Sequence, residues 1–218
     1  LKAIVTDSRY TEQAQRQAPG FEVLTIETGV SHFALAAKLC ARHGIDSLKY
    51  EDDHVTVKGF ASMQAAMPGI TFVSLDNLPE KMRVVKDDGE LALMQKAFDI
   101  SCEAFDHILG FIKPGLTEKQ IELALNFKMY ELGAEALAFN TIVASGPNGS
   151  LPHAIPGERK VESGDMITLD FGAKYQGYCA DMTRTVAVGK PKDEMRRIYG
   201  IVLRAQTTAQ DALAPGKN

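Results

Sequence analysis

The stretch Ile167–Thr185, ITLDFGAKYQGYCADMTRT, decides how this chain is read. Two runs of alternating apolar residues flank a turn region, which predicts an antiparallel hairpin. A turn centred between Tyr175 and Gln176 sets Asp170 directly across from Asp181, Thr168 across from Thr183, and Gly172 across from Cys179. Period-two alternation then turns Leu169, Phe171 and Ala173, with Tyr178, Ala180 and Met182, to the other face. One face is apolar and the other carries the carboxylates. Directly opposed side chains have Cβ atoms roughly 4.5–5.5 Å apart, where like charges destabilise. A shared proton relieves the repulsion, as in a carboxylate dyad. So does an arginine bridge, although Arg184 points to the opposite face in this register. So do divalent cations, for which carboxylates are ligands. Two aspartates on a solvated hairpin face are also ordinary surface, and spacing alone leaves the choice open. The small Gly172 and Cys179 beside them favour a crowded, concave site.

Working outward, KAIVT, FEVLTIE, SLKYED and ITFVSLD read as short strands in the first part of the chain. They alternate with helical segments, one of them capped by Ser31 and stopped by Gly44, the other closed by Pro68-Gly69. That alternation predicts a small α/β unit with a mainly parallel sheet. A charged stretch, DNLPEKMRVVKDDGE, marks a boundary, giving expected domains of residues 1–83 and 84–218. Beyond it, Leu91, Met94, Phe98, Cys102, Phe105 and Leu109 recur at helical spacing and predict a helix from about Asp88 to Ile112. Thr117 and Gln120 match a capping box that opens a second helix running to Gly133. A strand-rich region follows, and then a final helix with Met195, Ile198, Val202, Ala205 and Ala209 on its apolar side. The second part is therefore expected to be α+β, with helices packed on an antiparallel sheet.

The 218 residues are 45% hydrophobic and 24% charged, a globular composition sufficient for one large or two modest domains. A formal net charge of −4 gives no electrostatic case for nucleic acid. No apolar run approaches the roughly 20 residues of a membrane span. Cys40, Cys102 and Cys179 form no CxxC pair, which favours a reducing, cytoplasmic setting. The chain opens without methionine on LKAIVTDSRY and closes on DALAPGKN just after a helix, so both ends read as cut.

The segment Val143–Thr185, VASGPNGSLPHAIPGERKVESGDMITLDFGAKYQGYCADMTRT, resembles the core of the pita-bread metallopeptidases. It is most like the Xaa-Pro aminopeptidase and prolidase branch. The resemblance is carried by ASGPN followed by PH, a GD turn, DFGA, GY and DMTRT. TDSRY near the start resembles the creatinase-type domain that precedes the catalytic domain in that branch. What the resemblance implies is a partial creatinase-type α/β domain followed by the first half of a pita-bread α+β domain. It implies two divalent metal ions, most often Mn²⁺, with Co²⁺ or Zn²⁺ as alternatives. Asp170 would chelate one ion and Asp181 would bridge both. A metal-bound hydroxide would attack the bond before proline, and His153 would hydrogen-bond the forming intermediate. Short proline-containing peptides are the implied substrates and a homodimer the implied assembly, with no nucleic-acid or membrane partner. A complete enzyme also draws a histidine and two glutamates from a later segment, and this chain stops at Asn218 before any such stretch.

Three other readings stand beside that one. Relatives of the fold that lost their metals bind peptides or proteins, which makes a catalytically inactive binding module the alternative. A creatinase-like amidinohydrolase shares the fold but would not be expected to keep the metal aspartates. The SGPNGS loop lacks the GxxxxGK[ST] pattern of phosphate-cradling loops and reads as the turn that carries His153. His32, His43, His54 and His107 read as ordinary surface residues, Cys179 as a small space-filler, Tyr178 as packing on the apolar face, and Ser8–Tyr10 as a strand end.

Overall fold

Residues 1–217 are described by a computed structural model, so Asn218, the last position of the second expected domain, lies outside them. The chain divides into a first unit ending at Val85 and a second beginning at Lys86, against an expected boundary between 83 and 84.

The first unit runs β1 (Ala3–Thr6), α1 (Thr11–Gln17), β2 (Glu22–Thr25), α2 (His32–His43), β3 (Ser47–Tyr50), α3 (Val57–Ala66), β4 (Thr71–Ser74) and α4 (Leu78–Arg83). β1 pairs with β2, and β3 with β4, both in parallel. The α2 signals act as expected. The Ser31 side chain accepts from the Ala34 N–H, and Gly44 takes the left-handed conformation at φ 63°. α1 and α4 were not foreseen, and α4 falls within the stretch read as a boundary. Neither buries a residue, so neither leaves an apolar period in the sequence. Cys40, Met63 and Met67 form the small core, flanked by Tyr50 stacked on Phe60 at 4.9 Å and by Phe72 edge-on.

The second unit opens with α5 (Asp88–Phe111) and α6 (Glu118–Glu131). Capping boxes start both, Asp87 with Glu90 and Thr117 with Gln120. There follow β5 (Ala136–Leu137), β6 (Ile142–Ser145), a 3-10 turn (Gly146–Ser150), β7 (Met166–Phe171), β8 (Ala173–Tyr175), β9 (Tyr178–Cys179), β10 (Met182–Ala187) and α7 (Asp193–Asp211). All the pairings are antiparallel, in sheets ordered β10-β7-β6 and β5-β8-β9. Leu169, Phe171 and Val143 leave the sheet on one face and meet Ile100 and Ile108 of α5 and Ile121 of α6 in the core. This is the expected helix-on-sheet arrangement. α7 differs from expectation, because no residue of it is buried and Val202 on its apolar side is 61% exposed.

The hairpin keeps its predicted faces but not its predicted register. Its turn is Gln176-Gly177, both at positive φ (46° and 85°). Tyr175 pairs with Tyr178, Lys174 with Cys179, Phe171 with Met182 and Asp170 with Thr183. Two-residue hairpin turns of the kind that match strand twist need positive φ at both central positions, which Gly177 supplies and Tyr175 would resist. The shift is even, so every side chain stays on its assigned face. Gly172 loses its expected partner Cys179, which is exposed and opposite Lys174.

Candidate metal centre

Asp170 lies on the central strand β7, between Ile142 of β6 and Thr183 of β10. The Thr183 hydroxyl donates to Asp170 Oδ1 at 3.0 Å, which orients the carboxylate. Asp181 occupies the step between β9 and β10 and is exposed. Continuing the register from Met182 and Phe171, it comes across from Gly172 rather than from Asp170. Diagonal neighbours on one face are roughly 7–8 Å apart, so the carboxylates share a face without being pressed together. Gly172 is required there, since a Cβ would stand 1.9 Å from the Ala180 carbonyl oxygen. The Ala180 backbone fills the space that a side chain would take, so the chain closes tightly beside Asp181. Hard oxygen donors sharing one face suit divalent cations, and the two aspartates fit part of a dinuclear ligand set.

The hairpin is held from behind by groups of which the sequence singled out only Tyr178. Buried Ser101 of α5 donates to the Ala97 carbonyl at 2.9 Å and accepts from the Ala173 N–H at 3.0 Å, fastening the helix to the strand just past Gly172. Tyr178 is partly buried as expected, and its hydroxyl also donates to Glu90 Oε1 at 2.8 Å. The Gly177 N–H donates to Glu135 Oε1 at 2.9 Å, pinning the turn. The one available signal was a serine inside the apolar stripe of Ala97, Ile100 and Ala104.

His153 is exposed on the loop that leaves β6. The loop is anchored through Glu118, the first residue of α6, which is fully buried. Its carboxylate accepts from the Ser145 N–H and hydroxyl, both at 2.7 Å, from the Asn148 amide at 3.0 and 3.1 Å, and from the Gly157 N–H at 3.2 Å. Burial pushes its carboxyl pKa up, but the hydrogen bonds from Ser145, Asn148 and Gly157 outweigh burial and hold it below the usual range. Arg159 extends the network, donating to the Ser145 hydroxyl at 2.6 Å and to both Asp165 oxygens at 2.7 and 3.1 Å. Asp165 is likewise held low: burial opposes, while Arg159 and the Glu162 N–H prevail. Gly146 is confined by this network. It adopts φ +52°, and a Cβ on it would lie 2.6 Å from Arg159 Nη2.

The remaining histidines, His32, His43, His54 and His107, are exposed. His54 is more than isolated surface, since its ligand atom and those of Glu51 and Glu80 lie within 4.8 Å of one another in the first unit. His54 Nε2 is 3.8 Å from Glu80 Oε1. No other group of three such residues is this tight among the described residues, so His153, Asp170 and Asp181 do not converge on one point. No helix of the described residues is long and apolar enough to cross a membrane.

A chain with a parallel-stranded α/β unit ahead of this antiparallel, carboxylate-faced sheet has clear relatives. Residues 92–218 match metallopeptidase family M24, and residues 2–85 match the creatinase/prolidase N-terminal domain. The chain belongs to metallopeptidase family M24. It is 42% identical to the uncharacterized peptidase YqhT of Bacillus subtilis over 214 residues, 98% of this chain and 60% of that protein. It superposes on the Xaa-Pro dipeptidase from Bacillus anthracis with a TM-score of 0.88 at 41% identity, over 93% of this chain and 56% of the other. The X-Pro aminopeptidase from Thermotoga maritima gives 0.86 at 39% identity, over 94% of this chain and 58% of the other. The chain thus spans a little over half the length of the relatives it matches.

Proposed function

We propose that the chain is part of a metal-dependent exopeptidase that hydrolyses the Xaa-Pro bond of short peptides. The observation that carries this reading is the pair Asp170 and Asp181 on one sheet face, in a chain of family M24. When bound, two divalent ions would supply Lewis acidity toward the scissile carbonyl and toward a water. In this reading the ions are Mn²⁺, with Co²⁺ or Zn²⁺ as alternatives, and a histidine and two glutamates from outside the 218 residues complete their ligand set. Asp170 and Asp181 hold the ions, and Thr183 keeps Asp170 turned toward the shared face. His153 donates a hydrogen bond to the carbonyl oxygen as negative charge develops there. The Xaa-Pro bond has no N–H, so a site that makes no demand on that donor suits it. A homodimer belongs to the same reading and rests on the family resemblance, and a cytoplasmic setting rests on three cysteines that form no CxxC pair.

The test is Mn²⁺-supported hydrolysis of an Xaa-Pro dipeptide and an Xaa-Pro tripeptide, by wild type beside Asp181→Asn. Cleavage by wild type alone supports the reading, and the preferred length separates dipeptidase from aminopeptidase. Equal cleavage by both removes Asp181 from the site. No cleavage by either leaves the inactive peptide- or protein-binding module as the better account of this polypeptide.

A further inference from the structure

Glu118 lies far from the carboxylate pair in sequence and is fully buried, and the proposed peptidase chemistry gives it no part. Its partners are distributed in a particular way. Ser145 is the residue before the loop that carries His153, Asn148 lies inside that loop, and Gly157 lies at its far end. The far end is tied twice, because the Gly157 carbonyl also accepts from the Lys119 N–H at 3.1 Å. The Arg159 carbonyl accepts from the Glu118 N–H, also at 3.1 Å. Between these anchors Leu151, Pro152, His153 and Ile155 are exposed and Ala154 alone is buried, so the middle of the loop packs through a single methyl group. A loop with so small an apolar underside takes its conformation mainly from its ends. Both ends here converge on one carboxylate.

We propose that Glu118 is a positioning residue: it clamps the two ends of the 146–157 loop to the start of α6 and thereby sets where His153 stands. The carboxylate suits this task better than an amide. All its contacts are donors pointing inward, from two backbone N–H groups, one hydroxyl and one side-chain amide. A glutamine would turn one NH₂ group against those donors, opening the clamp without changing its size. Arg159 supplies the compensating positive charge one step away, through the Ser145 hydroxyl. The role assigned to His153 rests on the peptidase reading, whereas the clamp does not.

The experiment compares the wild-type chain with Glu118→Gln, and with Ser101→Ala as a variant that loses a buried hydrogen bond elsewhere. Amide hydrogen exchange is read at Asn148, Gly149, Ser150 and Gly157, and at Leu169 and Phe171 in the sheet. The expected result is exchange at least tenfold faster in the loop of Glu118→Gln, with less than a twofold change in the sheet. Ser101→Ala should leave the loop as in wild type. The His153 ring proton signal should be single and sharp in wild type and broadened or split in Glu118→Gln. Should Glu118→Gln fail to fold, Asn148→Ala removes one arm of the clamp from a partly exposed position and should loosen the same amides several-fold. Where Xaa-Pro hydrolysis is measurable, Glu118→Gln should lower kcat at least tenfold with KM within twofold. Loop exchange that rises no more than sheet exchange, or an unchanged His153 signal, overturns the proposal. Absence of hydrolysis in wild type counts against the peptidase reading alone, because exchange and the ring signal are read on the metal-free chain.

Discussion

Glu118 and the pair Asp170–Asp181 are acidic positions in the same unit with opposite surroundings. Glu118 is wholly buried, and its two oxygens take five hydrogen-bond contacts from Ser145, Asn148 and Gly157. Asp170 accepts from Thr183, and Asp181 is exposed across from a glycine. A carboxylate whose lone pairs are filled by internal donors is part of the fold. Carboxylates whose oxygens face outward on a shared surface are available to an ion. Burying a charge is tolerated only with such compensation, so the two environments should answer differently to loss of the negative charge.

The largest effect should come from emptying the buried position. Glu118→Ala strands the Ser145 and Gly157 donors beside Arg159 and should cost about 3–5 kcal/mol in urea denaturation. A cost below about 1 kcal/mol would make Glu118 no more structural than the aspartates and break the contrast. Gly146→Ala should come next, at about 1–3 kcal/mol, because φ +52° disfavours a side chain and the new Cβ meets Arg159 and Asp165. Gly149→Ala is its control. That position has ordinary φ and a Cβ there would stand 3.7 Å from the Ala144 carbonyl oxygen, an ordinary contact, so the change should stay within about 0.5 kcal/mol.

Acid sharpens the comparison further. Glu118 and Asp165 have carboxyl pKa values below the usual range in the folded chain. A depressed folded value contributes stability that is fully present above the unfolded value and is lost as pH falls through the folded one. Wild type should therefore lose stability progressively as pH drops below about 4, and Glu118→Gln should lose less over the same range. Thermal melts from pH 6 to pH 3 check this, and an identical slope in the two proteins would contradict it. The smallest effect is expected on the exposed side. Asp181→Asn should change the stability of the metal-free chain by no more than about 0.5 kcal/mol. Added Mn²⁺ should raise the melting midpoint of wild type more than that of the variant, since only binding to the folded state stabilises it.

Much of this was legible in residues that act locally or by period. Ser31 and Gly44 bound α2, Thr117 with Gln120 opens α6, and alternation from Leu169 to Met182 assigns the hairpin faces. α1 and α4 escaped because they bury nothing and so carry no period. The apolar side of α7 was read correctly as a pattern, but a pattern does not say that a partner surface is present.

By itself the sequence determined the order of the two units, the caps and the two-faced hairpin, because each depends on residues within a few positions of one another. Only the tertiary structure decided the register and the anchoring. The register turned on which two residues take positive φ, and an even slip leaves the apolar pattern unchanged, so alternation could not choose between them. Glu118 reaches donors 27, 30 and 39 positions away, and Ser101 meets Ala173 from 72 positions away. Contacts at such separations have no local signature; they exist because chain folding brings a buried acceptor to donors that water can no longer reach.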